Sequence, residues 1–265
     1  MARAVSSLLL LCAFGCEPHV VDAVRESPEP PAPGPLETSL IHRYGFEGEG
    51  HEVRDSKGAA HGQLLGTALS GTGQLVLAGE RSGQYVNLPN GIASGLRNAT
   101  FEAWLTWDGG DAWQRIFDFG NSSSGQDSPG DTGTRYIYLT PASARDSANM
   151  LVPALHLAYS QGGKGGESIC DAPAPFPTGV QTHVAVVIDE AAQSMAIYQS
   201  GSLVADCVLA HPLSAIDDVN NWLGHSNYVA DVDLSGTFDE FRIYSAALTA
   251  SELSASFSAG PDAGL

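Results

Sequence analysis

Apolar and polar residues alternate along this chain in short bursts. The clearest is residues 237–244, where Phe238, Asp239, Glu240, Phe241, Arg242, Ile243 and Tyr244 feed two opposite faces, as in a strand. Residues 101–107 do the same. Phe101, Ala103, Leu105 and Trp107 share one face, and Glu102, Trp104 and Thr106 the other. Further short strands are predicted at 41–46, 61–65, 74–77, 84–88, 115–119, 136–139, 154–159, 183–189, 194–199, 203–208 and 221–224. Turn residues separate them, as in Asp55-Ser-Lys-Gly58 and Pro89-Asn-Gly91. Residues 121–134 and 142–150, rich in Gly, Ser, Asp and Ala, read as loop insertions. Helical signals are scarce: Thr249 with Glu252 forms a capping pair for a short helix after the last strand. There is no βαβ rhythm and no internal repeat. The pattern predicts an all-β chain, a two-sheet antiparallel sandwich over residues 38–258, with 259–265 as a flexible tail.

The N-terminal segment follows a different pattern. Residues 5–14 are mostly apolar around Leu8, Leu9, Leu10 and Leu11, with Arg3 before them. That run suits the core of a signal peptide over residues 1–15 and is too short for a membrane span. Ala13-Phe14-Gly15-Cys16 resembles a bacterial lipobox, which implies cleavage after Gly15 and lipid on Cys16. Ala13 departs from the usual Leu, and Phe14 is bulkier than the usual small residue. Glu17, rather than Asp, after the cysteine implies sorting to the outer membrane; ordinary cleavage would leave a periplasmic or secreted protein. Residues 16–37 form an acidic tether stiffened by Pro18, Pro28, Pro30, Pro31, Pro33 and Pro35.

Charge narrows the partners. Twelve Lys and Arg face 30 Asp and Glu, a net charge of −18 that becomes −19 if Arg3 leaves with the signal. Nucleic acid is excluded as an expected partner, and any membrane contact is expected through the N-terminal lipid alone. Hydrophobic residues make up 43% of the chain, enough for a full core. Beyond the signal region only Cys170 and Cys207 remain. An exported pair predicts one disulfide, with two buried free thiols as the alternative.

Several segments together resemble the laminin-G-like, concanavalin-A-like jelly-roll family. They are Tyr44-Gly-Phe46, Asp55-Ser-Lys-Gly58, Tyr85-Val-Asn-Leu-Pro-Asn-Gly91, Phe101-Glu-Ala-Trp104 and Trp113-Gln-Arg-Ile-Phe-Asp-Phe-Gly120. Thr182-His-Val-Ala-Val186, Trp222-Leu-Gly224 and Phe238-Asp-Glu-Phe-Arg-Ile-Tyr244 continue the series. The resemblance implies a jelly roll and a platform for carbohydrate binding or protein adhesion. It also implies calcium, with Asp55 and Asp239 as natural ligands and Glu47 assisting. The alternative is an Asx turn at Asp55 and a capped loop amide at Asp239. Asp217-Asp-Val-Asn-Asn221 is a weaker cation candidate.

A glycan site needs aromatic faces beside polar groups. Trp104, Arg115 and Trp222 are the expected contacts, with Trp113, Tyr136, His225 and Tyr228 of the right types; core packing is the competing role for each tryptophan. His183 is expected to be a satisfied structural residue. No nucleophile elbow, zinc-protease helix or phosphate loop is present, and Asp239 and Glu240 point to opposite faces. The expected function is non-catalytic recognition of an extracellular or cell-surface polysaccharide at the cell envelope. An envelope protein-adhesion or structural module is the alternative, and a glycan hydrolase a minor one.

Overall fold

The structure is a computed structural model. It describes residues 34–263 apart from 145, 148, 149 and 152. The signal segment, Cys16 and most of the tether lie outside the described residues.

In chain order the strands are β1 (Leu40–Tyr44), β2 (Glu49–Gly50), β3 (Glu52–Val53), β4 (Gly62–Leu65), β5 (Leu69–Ser70), β6 (Leu75–Glu80), β7 (Tyr85–Leu88), β8 (Ala99–Trp107), β9 (Phe117–Ser122) and β10 (Gly133–Thr140). There follow β11 (Asp146–Ser147), β12 (Met150–Leu151), β13 (His156–Ser160), β14 (Glu167–Asp171), β15 (Thr182–Asp189), β16 (Ser194–Gln199), β17 (Ser202–Val208), β18 (Asn220–Leu223) and β19 (Asp233–Tyr244). One sheet runs β1-β19-β8-β15-β16-β17, with β6 also on β19. The other runs β14-β13-β10-β9-β18-β7-β4-β3. All ladders between these strands are antiparallel, as the alternation predicts. Two-residue ladders, β2 with β5 and β11 with β12, complete the set.

The core lies between the sheets. Phe101 from one sheet meets Phe117 and Phe119 from the other, with ring centroids 5.2 and 5.4 Å apart. Each such aromatic pair adds roughly 0.5–1.5 kcal/mol beyond its area burial. Strict alternation would place Phe238 and Glu240 on the same face. The structure avoids this with a bulge. Phe238 pairs with Leu105 and Glu240 with Trp104, so Asp239 is the extra residue. Phe238 and Phe241 then both enter the core.

The outer face of the seven-stranded sheet is covered by α2 (Ala250–Ala259), which starts on the Thr249 and Glu252 capping box. Leu253 packs there with Leu40, Ala185, Val187, Ala196, Tyr244 and Leu248. Beside this cluster lies a buried polar network. Glu102 accepts hydrogen bonds from His183 Nε2 (2.8 Å), Tyr244 (2.8 Å) and Ser256 (3.0 Å). His183 Nδ1 accepts from the Gly201 amide, so the histidine is satisfied as expected. Glu240 binds both Arg43 and Arg242. Both arginines also donate to the Pro261 carbonyl. Residues 260–261, expected in a flexible tail, are therefore held against the sandwich. At the other end, part of the expected tether forms a short helical turn, α1 (Pro35–Ser39).

Cys170 and Cys207 form the disulfide, with Cα atoms 5.6 Å apart. It joins β14 to β17, one edge strand from each sheet.

Candidate functional site

The site sits on the outer face of the eight-stranded sheet. Phe117, Phe119, Ile137 and Leu139 point into the core, so the residues between them, Asp118 and Tyr138, point out. Tyr138 lies opposite Ala158 on one side and Asp118 on the other; Asp118 lies opposite Trp222, and Trp222 opposite Asn87. Two loops, residues 123–132 and 224–232, partly cover this row. Asn227 of the second loop donates twice to Asp118, and its carbonyl accepts from Gly130 of the first. Arg81 donates to the carbonyls of Val229 and Ala230 and fixes the second loop from outside.

Between the second loop, the β13–β14 turn and the segment before β9 a cavity of about 110 Å³ remains, lined by Trp113, Arg115, Tyr138, Lys164, Glu167, Tyr228 and Asp231. Arg115 is almost fully buried, and its guanidinium lies 3.9 Å above the Tyr138 ring. It donates to Asp231 (2.7 Å), Asp118 (3.3 Å) and the Trp113 carbonyl. Burial works against its charge. Asp231 and Asp118 more than offset that and hold Arg115 protonated above its ordinary range. Burial likewise pushes the Asp118 carboxyl up, against Arg115 and Asn227. Both Asp118 oxygens accept N–H groups, an arrangement made for the ionised form.

The aromatic wall is hydrogen-bonded through. Tyr136 donates to Glu167 (2.6 Å) and lies 2.7 Å from the Tyr228 hydroxyl. Tyr138 also reaches Glu167, at 3.3 Å, and His156, whose other nitrogen meets Asp171 at 2.7 Å. Burial, then Glu167, raises the Tyr136 phenol, so it stays a donor at neutral pH. Gly133 makes the cluster possible: a Cβ there would lie 2.6 Å from the Tyr136 ring and 2.8 Å from that of Tyr228. Trp113, at the rim, adopts a left-handed backbone (φ 68°) that is unusual for an aromatic residue.

A family model described as the Concanavalin A-like lectin/glucanases superfamily, of laminin-G type, matches residues 80–254. The chain belongs to this superfamily. The concanavalin A-like fold is shared with solved structures. Domain 4 of AbnA, a GH43 extracellular arabinanase from Geobacillus stearothermophilus, solved with arabinotriose, is 17% identical. The match has a TM-score of 0.55 and covers 82% of this chain and 97% of that one. The CBM40 of Ruminococcus gnavus IT-sialidase, bound to α2,3-sialyllactose, is also 17% identical, with a TM-score of 0.52 and coverage of 69% and 95%. Trypanosoma rangeli sialidase matches at 13% identity and a TM-score of 0.59; the likeness covers 84% of this chain and only 33% of that enzyme. No curated protein matches in sequence.

Within this concanavalin A-like frame, the expected ligand contacts separate. Arg115 is in the pocket. Trp104 is not on an open face: it is buried beneath the α2 region, with Arg242 4.6 Å above its ring and His183 4.7 Å away. Trp222 is fully buried beneath His225 and Tyr85. Both tryptophans therefore pack, which corrects their expected role as ligand contacts. Trp113 and Tyr228, of the right type in the sequence, do line the cavity. Tyr138, Lys164, Glu167 and Asp231 were not foreseen. Tyr138 shares a face with Tyr136 by period two, and Asp118 interrupts two core phenylalanines; these were the available signals.

The calcium expectation does not fit the arrangement. Asp55 accepts five hydrogen bonds, from the amides of Arg43, Lys57, Gly58 and Ala60 and from His42. A cation would meet those donors head on. The Asx-turn alternative describes this residue. Asp239 accepts from Gln74, and Glu47 is exposed. Among the described residues, no three His, Cys, Asp or Glu side chains are grouped to hold a metal. In the Asp217 cluster, Asp218 accepts from the amides of Ala93 and Ser94, and Asp217 from Asn121.

Burial raises the Asp55 carboxyl, but the amides of Gly58 and Arg43, then His42, pull it down from 3.8 to about 2. A carboxyl depressed on folding adds stability above its unfolded value and loses it as pH falls through the folded one. Acid titration of stability should therefore show a steeper fall between about pH 4 and pH 2 in the native protein than in Asp55→Asn. Equal slopes would contradict this role.

Proposed function

We propose that the Arg115 pocket binds a sugar of an extracellular or cell-surface polysaccharide without cleaving it, and that the domain is displayed outside the cytoplasm. The observation that carries this reading is the pairing of half-exposed aromatic walls, Trp113 and Tyr228, with the polar groups Arg115, Glu167 and Asp231 in one cavity. Sugar rings present apolar C–H faces ringed by hydroxyls, and such a mixture suits both. The strained backbone of Trp113 supports it, because such conformations gather at functional sites. Binding rather than hydrolysis is supported by the engagement of the carboxylates. Asp231 is tied to Arg115 and Ser226, and Glu167 to two tyrosines. A glycosidase pairs a proton-donating carboxyl with a carboxylate base or nucleophile. These two carboxylates instead serve as acceptors, for Arg115 and Ser226 and for the tyrosines, with their remaining oxygens open to ligand hydroxyls. Display outside the cytoplasm is supported by the disulfide.

A glycan array with the folded domain tests this, run with calcium and with chelator. Tyr228→Ala and Trp113→Ala should each weaken binding about tenfold, as expected for loss of roughly 1.4 kcal/mol of aromatic contact. Chelator should change little. Binding that persists unchanged in both variants, or no binding to any glycan, would overturn the reading.

A further inference from the structure

We infer that the pocket selects a single neutral sugar ring and rejects sugars carrying a carboxylate. This rests on the proposed glycan reading and specifies its ligand class. An arginine in a sugar site is the usual partner for an anionic ligand, because its forked donors match a carboxylate. Here three of its five N–H donors are already committed within the protein. Nη2 of Arg115 is 2.7 Å from Asp231, Nε is 3.3 Å from Asp118, Nη1 donates to the Trp113 carbonyl, and the guanidinium face is covered by Tyr138. The guanidinium is a strut that holds two carboxylates and a rim carbonyl in place.

The charge count points the same way. Among the lining residues Arg115 and Lys164 supply two positive charges and Asp231 and Glu167 two negative ones; Asp118, bonded to Arg115 from outside the lining, adds a third negative charge. Lys164 is exposed at the mouth, where solvent screens it most. The carboxylates sit deeper, against Arg115 and the tyrosines. The hydrogen bonds of Asp231 all fall on Oδ2 and those of Glu167 on Oε1. Asp231 Oδ1 and Glu167 Oε2 therefore keep lone pairs for a ligand. A pocket rich in acceptors recognises donors, and a neutral sugar offers hydroxyls. A uronate or sialate would bring its own acceptor and a repelled charge. The cavity, about 110 Å³, is well below the usual range for ligand pockets, which limits it to one ring at most.

The test uses the folded domain and matched oligosaccharides in titration calorimetry: neutral arabino- and galacto-oligosaccharides against oligogalacturonate and sialyllactose. The neutral set should bind at least tenfold more tightly. Glu167→Gln should narrow that preference severalfold by removing one negative charge. Tyr228→Ala should weaken the neutral set about tenfold, marking the pocket as the site, and circular dichroism should confirm that both variants fold. Carboxylated sugars binding as tightly as neutral ones, through a site weakened in Tyr228→Ala, would overturn the selectivity while leaving glycan binding intact. Binding of neither set would overturn both.

Discussion

Replacing Arg242 by methionine is expected to cost the domain about 3 kcal/mol, at the lower end of what breaking a buried ion pair costs. The guanidinium is fully buried and bonded to Glu240, Ser256 and the carbonyls of Gly260 and Pro261. It also lies 3.5 Å from Glu102. Methionine fills part of the volume but leaves two buried carboxylates with fewer partners. Arg43 still reaches Glu240, and His183 still reaches Glu102, which keeps the loss from being larger. Urea denaturation would measure it, with an unchanged slope if the unfolded state is unaltered. Hydrogen exchange should rise after α2 because Pro261 loses its nearer donor. A loss under about 1 kcal/mol would show that Arg43 and His183 suffice. Arg43→Met, at a partly exposed position, should cost less.

Removing the Cys170–Cys207 bridge should cost about 2–4 kcal/mol. The bridge closes a separation of 37 residues that holds β15, β16 and β17, so the unfolded chain loses much freedom when it is present. Alanine at both positions, compared with reduced native protein, separates the loss of the crosslink from the loss of buried sulfur at Cys170. Exchange should rise first in β14 and β17, because each is paired on one side only. Two alkylatable thiols in freshly purified protein would refute the bridge, and equal stability of the two forms would refute its contribution.

Much of the sandwich was legible because strands write their burial locally. β8 shows Phe101, Ala103 and Leu105 as one face, and the structure puts those side chains in the core. The Thr249 and Glu252 pair likewise announced α2 from four residues. What escaped was decided between distant segments. Alternation placed Trp104 away from the core correctly, but only the docking of α2 turns that outer face into a second interior. β14 was missed because Glu167, Ser168, Ile169, Cys170 and Asp171 bury a single residue fully, as an edge strand can. The pocket was only partly visible. Arg115, Trp113 and Tyr228 were of the right types. Their meeting with Lys164, Glu167 and Asp231 depends on the β13–β14 turn and the loop after β18, and no spacing in the sequence encodes it. At Asp239 the extra residue of the bulge broke the period on which the reading depended.

The first strand, β1, belongs to the sheet opposite the one bearing the Arg115 pocket. If the N-terminal end is anchored while a glycan is gripped at the pocket, mechanical load must cross the thickness of the sandwich. It enters through the short β1–β19 ladder and passes through the phenylalanine stack. Along the far side it meets the one covalent crosslink between the sheets. Under tension, the weakest link is then the entry: β1 has a neighbour on one side only, and a pull on its leading end opens those hydrogen bonds in turn. Such a domain would yield by shedding its first strand while the sheet that holds the ligand stays whole.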